Sequence, residues 1–305
     1  MGRLPLSLAL TVLLAAGPPP TAALASRGEM AGEMAALLRA FPGRVGLWIA
    51  EPGADALLYA SHEDAVFGAA SLYKLAVLLE VERRVDAGLL DYGDRLTIEP
   101  SDITPSPSWL SAGATVTVDE ALELMITVSD NATAVHFLRT LGPAAIGRAL
   151  AEASIPGFHV TMAAGDEMTV TARGVGTFFT LLARGELVSP EASDRMLARL
   201  ARQTVSDRLP AALPDHVLVA HKTGNLPGLA HDAGIVVSVQ GPRVVVALTA
   251  GARDPEATAF IARLGAVVYS AEIDGHGLAM LPATSVRPAH APPCGALGSC
   301  FTEGP

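Results

Sequence analysis

Three β-branched runs follow one another near the end of the sequence: "HVLVAHKTG" (216–224), "AGIVVSVQG" (233–241) and "RVVVALTAG" (243–251). Turns containing Gly or Pro separate them, so they are expected to form consecutive strands. Two further runs lie near the start, "RVGLWIAEP" (44–52) and "ALLYA" (56–60), joined by the turn "EPGAD". The long segment between these two sets is helical in pattern. The economical arrangement is an α/β (α+β) fold. One mostly antiparallel sheet draws its strands from both chain ends, helices flank it, and an all-helical subdomain is inserted. A cleft between two such halves is the expected place for a site.

Helix signals punctuate the rest. "EMAGEMAALLRAF" (Glu29 to Phe41) has apolar residues at helical spacing, and Pro42-Gly43 stops it. A long helix is expected from Ser71 or Leu72 to Ala87, capped by Gly88. Thr117-Val118-Asp119-Glu120 is a capping box opening a helix that ends before Ser129. "NATAVHFLRTLG", "AAIGRALAEAS", "TARGVGTFFTLLARG" and "SPEASDRMLARLARQ" supply four more helices. "DPEATAFIARLGAVVYSAE" closes the domain, with Pro255 at its first position.

Residues 1–25 form a separate object. Arg3 precedes the apolar run Leu4 to Ala16, then "GPPP", then the small-x-small pattern Ala23-Leu24-Ala25. This is the pattern of a secretory signal peptide cleaved after Ala25, so the product is expected to be secreted or periplasmic. The apolar run is shorter than the ~20 residues a membrane span needs, and stable membrane insertion is not expected. The domain proper is expected over 26–275. A Pro/Gly-rich tail, 276–305, holds both cysteines, Cys294 and Cys300, whose pairing the sequence leaves open. A net charge of −10 with no basic run argues against nucleic acid as a partner. The expected partner is a small molecule and the expected state a monomer. None of the eight histidines shows metal-ligand spacing, and no cofactor is implied.

Lysine is the rarest charged residue. The chain has 19 arginines among its 21 basic residues, and only Lys74 and Lys222 are lysine. An arginine does not give up its proton, whereas a lysine in an apolar setting does. Lys74 stands in Ser71-Leu72-Tyr73-Lys74, where a hydroxyl and an amine share one face of a helix start. A serine hydroxyl needs such a proton acceptor to become a nucleophile. Lys222 stands in Lys222-Thr223-Gly224, at the end of a β-branched run, where Gly224 permits close approach to the backbone. Between them, Ser129-Asp130-Asn131 occupies the break between two helices. Each motif has a plain structural alternative: a helix N-cap for Ser71 and for the Ser-Asp-Asn triplet, a surface turn for Lys-Thr-Gly.

Together the three motifs, 58 and then 93 residues apart, resemble those of class A β-lactamases and penicillin-binding proteins. Phe67, four residues before Ser71, and "LPDHVLVAHKTG" agree with that resemblance, which covers roughly residues 28–272. It implies Ser71 as the acylated nucleophile and Lys74 as its proton acceptor. It implies Ser129 as proton donor to the departing nitrogen, with Lys222 orienting Ser129 and attracting an anionic substrate. Asn131 would bond the substrate's side-chain amide and Thr223 its carboxylate. The backbone N–H groups of Ser71 and Asn225, beside Gly224, would form the oxyanion hole. Arg208 stands near a position where some members carry a carboxylate-binding arginine; the alternative is a structural arginine. Trp109 is a candidate cleft wall opposite Asn131; the alternative is a core residue. His231-Asp232 is expected to make a structural hydrogen bond in a turn.

One part of the family pattern is missing. The loop that carries a water-activating glutamate with an asparagine partner is not evident between Asn131 and Thr171. Only Glu152, inside an expected helix, and Glu167, in "AAGDEMTVTARG", lie there. Three functions therefore stay open: a β-lactamase, a peptidase or esterase of the penicillin-binding family, and a non-enzymatic penicillin-binding module.

Overall fold

The structure, a computed structural model, describes residues 20–54, 56–238 and 241–273. Most of the expected leader, and the tail with Cys294 and Cys300, lie outside these residues. Eight helices and ten strands are described. In chain order they are α1 (Pro20–Ala40), β1 (Arg44–Glu51), β2 (Ala56–Ser61), β3 (Phe67–Gly68), α2 (Tyr73–Asp86), β4 (Arg95–Thr97), β5 (Thr115–Thr117), α3 (Val118–Thr127) and α4 (Asn131–Leu141). There follow α5 (Pro143–Glu152), β6 (Phe158–His159), β7 (Thr169–Val170), α6 (Ala172–Ala183), α7 (Pro190–Leu200), β8 (Leu218–Leu226), β9 (Leu229–Ser238), β10 (Gly241–Ala250) and α8 (Asp254–Ile273).

The main sheet has the order β2-β1-β10-β9-β8, with every neighbouring pair antiparallel. Strands from both chain ends thus meet at the β1–β10 pair, as the sequence pattern requires. Alternation along the strands divides the interior into two cores. Val244, Val246 and Leu248 of β10 face a large core shared with α2–α7. Val245 and Ala247, between them, face a smaller core formed with Met34 of α1 and Ile261 and Leu264 of α8. The sheet is therefore covered on both faces, which explains the near-continuous apolar runs in β8–β10.

Helix α2 is the central element of the larger core. Its residues Lys74–Glu82 are all buried. A helix apolar on nearly every side is a core helix, and its few polar groups need partners there. It ends as expected at Gly88 (φ +68°), where the N–H of Gly88 bonds Val85 O at 3.0 Å and that of Leu89 bonds Arg84 O at 2.8 Å. The capping box of α3 is also present: Thr117 N–H donates to Glu120 Oε2 (2.8 Å) and Glu120 N–H to Thr117 Oγ1 (3.2 Å).

Two expectations need correction. The inserted subdomain is not all helical. It carries a two-stranded β4–β5 ribbon, and β3, β7 and β6 form a second small sheet beside it. Strands of two or three residues are too short to leave a period-2 signature. Helix α1 also extends ahead of Glu29: it is described from Pro20 and runs through Ala23-Leu24-Ala25. The alanines and leucine between Pro20 and Glu29 favour helix.

Candidate active site

Ser71 sits in a single 3-10 turn, Ala70–Leu72, between β3 and α2, rather than in α2 itself. The preceding Ala70 has φ +44°, a left-handed conformation that alanine rarely adopts. Strand β8 passes close by. A Cβ on Gly224 would lie 3.1 Å from Ala70 Cβ and 3.3 Å from Ser71 N, so glycine at 224 lets the strand lie against the turn. β8 is an edge strand, and Leu226 pairs with Leu229 across the two-residue turn Pro227-Gly228. Alternating antiparallel pairing then points the N–H of Asn225 away from β9, to the open edge beside Ser71.

The α3–α4 break supplies the opposite wall. Asp130 is the N-cap of α4: its Oδ1 accepts from Thr133 N–H at 2.8 Å, and its Oδ2 from Trp109 N–H at 2.6 Å. The middle residue of Ser-Asp-Asn thus holds the turn in shape, and the outer two face the cleft. Ser129 adopts φ +58°. Asn131 donates through Nδ2 to Pro107 O (2.7 Å) and accepts through Oδ1 from Lys74 Nζ (2.9 Å).

Both lysines converge on Ser129. Lys74 Nζ lies 2.6 Å from Ser129 O and 3.1 Å from Ser129 Oγ, and Lys222 Nζ lies 3.0 Å from the same Oγ. Lys222 also donates to Thr223 O at 2.9 Å. A hydroxyl oxygen has two lone pairs. With both lysines donating to it, Ser129 Oγ has only its own proton left to offer to the cleft. Lys74 and Lys222 are each 0% exposed. Burial pulls Lys74 down to about 7, against a smaller opposing pull from the Asp130 charge. Lys222 is also held well below the ordinary lysine range, by burial first and then by the Lys74 charge.

Ser71, Ser129 and Asn131 line a cleft of about 1030 Å³ with Tyr73, Thr104, Ser108, Trp109, Arg208, Thr223 and Asn225, and the two lysines lie buried beneath its wall. Trp109 is 72% exposed on its rim, which places it at the wall rather than in the core. Arg208 is only 3% exposed. Its Nη1 donates to Gly224 O (3.3 Å) and His231 O (2.8 Å), and its Nη2 to Asn225 Oδ1. His231 and Asp232 are buried on β9, not in a turn. His231 Nδ1 accepts from Thr249 N–H (3.1 Å), so its Nε2–H donates to Gly68 O (2.9 Å). Asp232 accepts from Leu209 N–H (3.1 Å) and bonds His221 Nδ1 (2.8 Å). Both are structural.

The structure also brings in Glu167. The β3–β7–β6 sheet draws the loop 160–168 against the strand leading to Ser71, where Ala69 N–H donates to Met168 O at 2.7 Å. A Cβ on Gly68 would lie 2.5 Å from Glu167 Oε1, so this carboxylate rests over Gly68 and faces the cleft. Glu152, at the end of α5, instead pairs with Arg83 outside the site. The sequence carries no warning of Ala70's backbone, of Met168, or of Ser108, whose Oγ accepts from Ala132 N–H at 2.8 Å. Only the turn-forming Ser106-Pro107-Ser108 cluster hints at the last.

An antiparallel sheet covered by helices, with a serine, two buried lysines and a Ser-Asp-Asn turn in one cleft, defines a β-lactamase-like serine hydrolase fold of the class A type. The chain belongs to the beta-lactamase enzyme family, whose model matches residues 29–271. It is 30% identical over 260 residues to a beta-lactamase of Streptomyces albus G (76% of this chain, 82% of the relative). It is 29% identical over 276 residues to one of Streptomyces fradiae (82% and 88%). Among solved structures it resembles a single-site mutant of the class A beta-lactamase of the last common ancestor of Gram-negative bacteria (26% identity, TM-score 0.74, 81% of this chain and 100% of that one). It also resembles a single-site mutant of PBP-A in its acyl-enzyme complex with penicillin G (26%, TM-score 0.73, 82% and 96%).

Proposed function

We propose that this protein is an exported active-site-serine hydrolase that opens β-lactam rings through an acyl-enzyme, an activity of the kind that confers antibiotic resistance. The observation that carries it is the Ser129 hydroxyl held between Lys74 and Lys222 beside Ser71.

Neutral Lys74 takes the Ser71 proton as Ser71 Oγ attacks the lactam carbonyl. The resulting oxyanion is received by the N–H groups of Ser71 and Asn225, each such donor stabilising the transition state by roughly 3 kcal/mol. The C–N bond then breaks. Ser129 gives its proton to the departing nitrogen and is reprotonated by the Lys74 ammonium, so the proton taken from Ser71 ends on nitrogen. Asn131 keeps one N–H for the substrate's side-chain amide, and Thr223 offers its hydroxyl to the carboxylate. Glu167 activates the water that cleaves the acyl ester, and its place over Gly68 supports this role. The short loop 160–168 and the likeness to PBP-A favour a second function, slow turnover as a penicillin-binding peptidase or esterase.

The two are separated by incubating the protein with a chromogenic cephalosporin while following colour and intact mass. Sustained colour without a lasting adduct supports the β-lactamase. A stable adduct after one turnover supports the penicillin-binding alternative. An adduct that survives Ser71→Ala would overturn the nucleophile assignment.

A further inference from the structure

Two lysines bond the Ser129 hydroxyl, but what fixes the backbone that carries it lies elsewhere. Ser129 stands two residues past the end of α3, and its φ of +58° takes it out of the helix. A helix end leaves its last carbonyls without partners of its own. Leu124 O accepts from Asp130 N–H at 3.0 Å, within the turn itself. Two later carbonyls are met from outside. Ile126 O accepts from Gln203 Nε2 at 2.8 Å, and Thr127 O accepts from the N–H and the hydroxyl of Thr204, each at 3.0 Å. Gln203 Oε1 in turn accepts from Val205 N–H at 3.1 Å. One amide thus spends its donor on the segment before Ser129 and its acceptor on Val205. Val128, Ser129 and Val205 all line the cleft, whereas Gln203 stands behind them. Gln203 lies just past α7, and α7 is itself joined to α3 through Arg199 to Asp119 and Glu123, and through Arg202 to Glu123.

We propose that Gln203 is a positioning residue for Ser129: its side-chain amide clamps the end of α3 to the segment after α7 and so sets where the Ser129 hydroxyl meets Lys74, Lys222 and the departing nitrogen. This rests on the acyl-transfer function proposed above. Only one orientation of the amide fits, since the other would set oxygen against oxygen and N–H against N–H. A proton donor displaced by a fraction of an ångström from its acceptor loses much of its effect. The backbone bond from Thr204 to Thr127 O survives any side-chain change, so Gln203 is where the clamp can be loosened without being lost.

The experiment follows single-turnover acylation of the full-length protein by a chromogenic cephalosporin, with intact mass giving the fraction of chains that take the adduct. Wild type is compared with two variants. Gln203→Leu keeps the size of the side chain and removes both bonds. Gln203→Glu keeps the acceptor for Val205 and turns an oxygen toward Ile126 O. Displacement of Ser129 lowers the rate constant while the reacting fraction holds, whereas damage to folding lowers the fraction while the rate constant holds. Gln203→Leu is expected to acylate about tenfold more slowly, and Gln203→Glu at least as slowly. In a Ser129→Ala background the Gln203→Leu loss disappears, because no hydroxyl is left to misplace. Should Ser129→Ala be too slow to follow, the split between rate constant and reacting fraction, with Gln203→Glu, still decides the matter. A wild-type rate constant in either single variant, or an undiminished Gln203→Leu loss in Ser129→Ala, overturns the assignment while Ser71 acylation stands. No adduct at Ser71 of the wild type overturns the acyl-transfer function and this inference with it.

Discussion

The two sides of the cleft are built to different standards. On one side Lys74, Lys222 and Asp130 are buried, and each has at least two hydrogen-bond partners from fixed elements. On the other, Glu167 rides an exposed loop held by two-residue strands and by one side-chain hydrogen bond, between His159 Nε2 and Asp166 Oδ2 at 2.8 Å. In the proposed mechanism the first side serves formation of the acyl-enzyme and the second serves its loss. Burial supplies what the first step needs, since only a desolvated lysine gives up its proton near neutral pH. Exposure supplies what the second step needs, since water must reach the ester. The comparison predicts that acylation is all-or-none with respect to its residues, whereas release is graded.

The largest effect is expected from Lys74→Arg. A guanidinium keeps the charge and the hydrogen-bond donors but not the ability to deprotonate, so acylation should fall by about 10³-fold. Rapid mixing with a chromogenic cephalosporin measures this directly. A loss under tenfold would mean that another group takes the Ser71 proton. Next is Glu167→Gln, which removes a base while keeping shape. Release should slow by about 10²-fold while the first-turnover burst persists, so intact mass shows an accumulating adduct. If burst and steady state fall together, Glu167 belongs to the first step and the two-sided description fails.

The pH profile sharpens the same contrast. Lys74 is lowered to about 7 by burial, so its neutral form dominates above that value and is lost below it. Acylation should therefore rise with pH through about 7 and fall about tenfold per unit below it, read from single-turnover rates between about pH 5 and 9. A profile flat across that range would show that Lys74 is not the acceptor.

How far the sequence discloses each side follows from the same difference. Ser71, Lys74, Ser129 and Lys222 are visible because the proposed acylation chemistry admits few residue types and the three motifs stand together in one order. The five-stranded sheet and the major helices are visible from long β-branched runs, the capping box at Thr117 and the glycine at 88. Glu167 is harder to place, because its position depends on Phe67–Gly68 pairing with Thr169–Val170, a contact across roughly a hundred residues made by strands too short to show alternation. Arg208's partners are hidden for a related reason. Its acceptors are backbone carbonyls whose approach is set by the β8–β9 register, which no side-chain pattern encodes. His231 and Asp232 look like turn residues because the Pro-Gly turn is so near, yet strand alternation sends one to Gly68 and the other to His221.

The smallest effect tests the loop itself. Asp166 is held below the usual carboxylate range chiefly by its bond to His159, and it neighbours Glu167. Both side chains are about half exposed, so solvent screens the pair and its net contribution is small. His159→Ala should leave the burst in place and slow release by about fivefold at most. With His159 protonated, high salt should slow wild-type release in the same direction and leave the variant unchanged, because screening removes what the substitution has already removed. Steady-state rates in low and high salt, with intact mass to confirm that the adduct is the accumulating species, measure both. A loss as large as that of Glu167→Gln would mean that the His159–Asp166 bond, rather than the β3–β7 pairing, fixes the loop. The release side would then be as tightly determined as the acylation side.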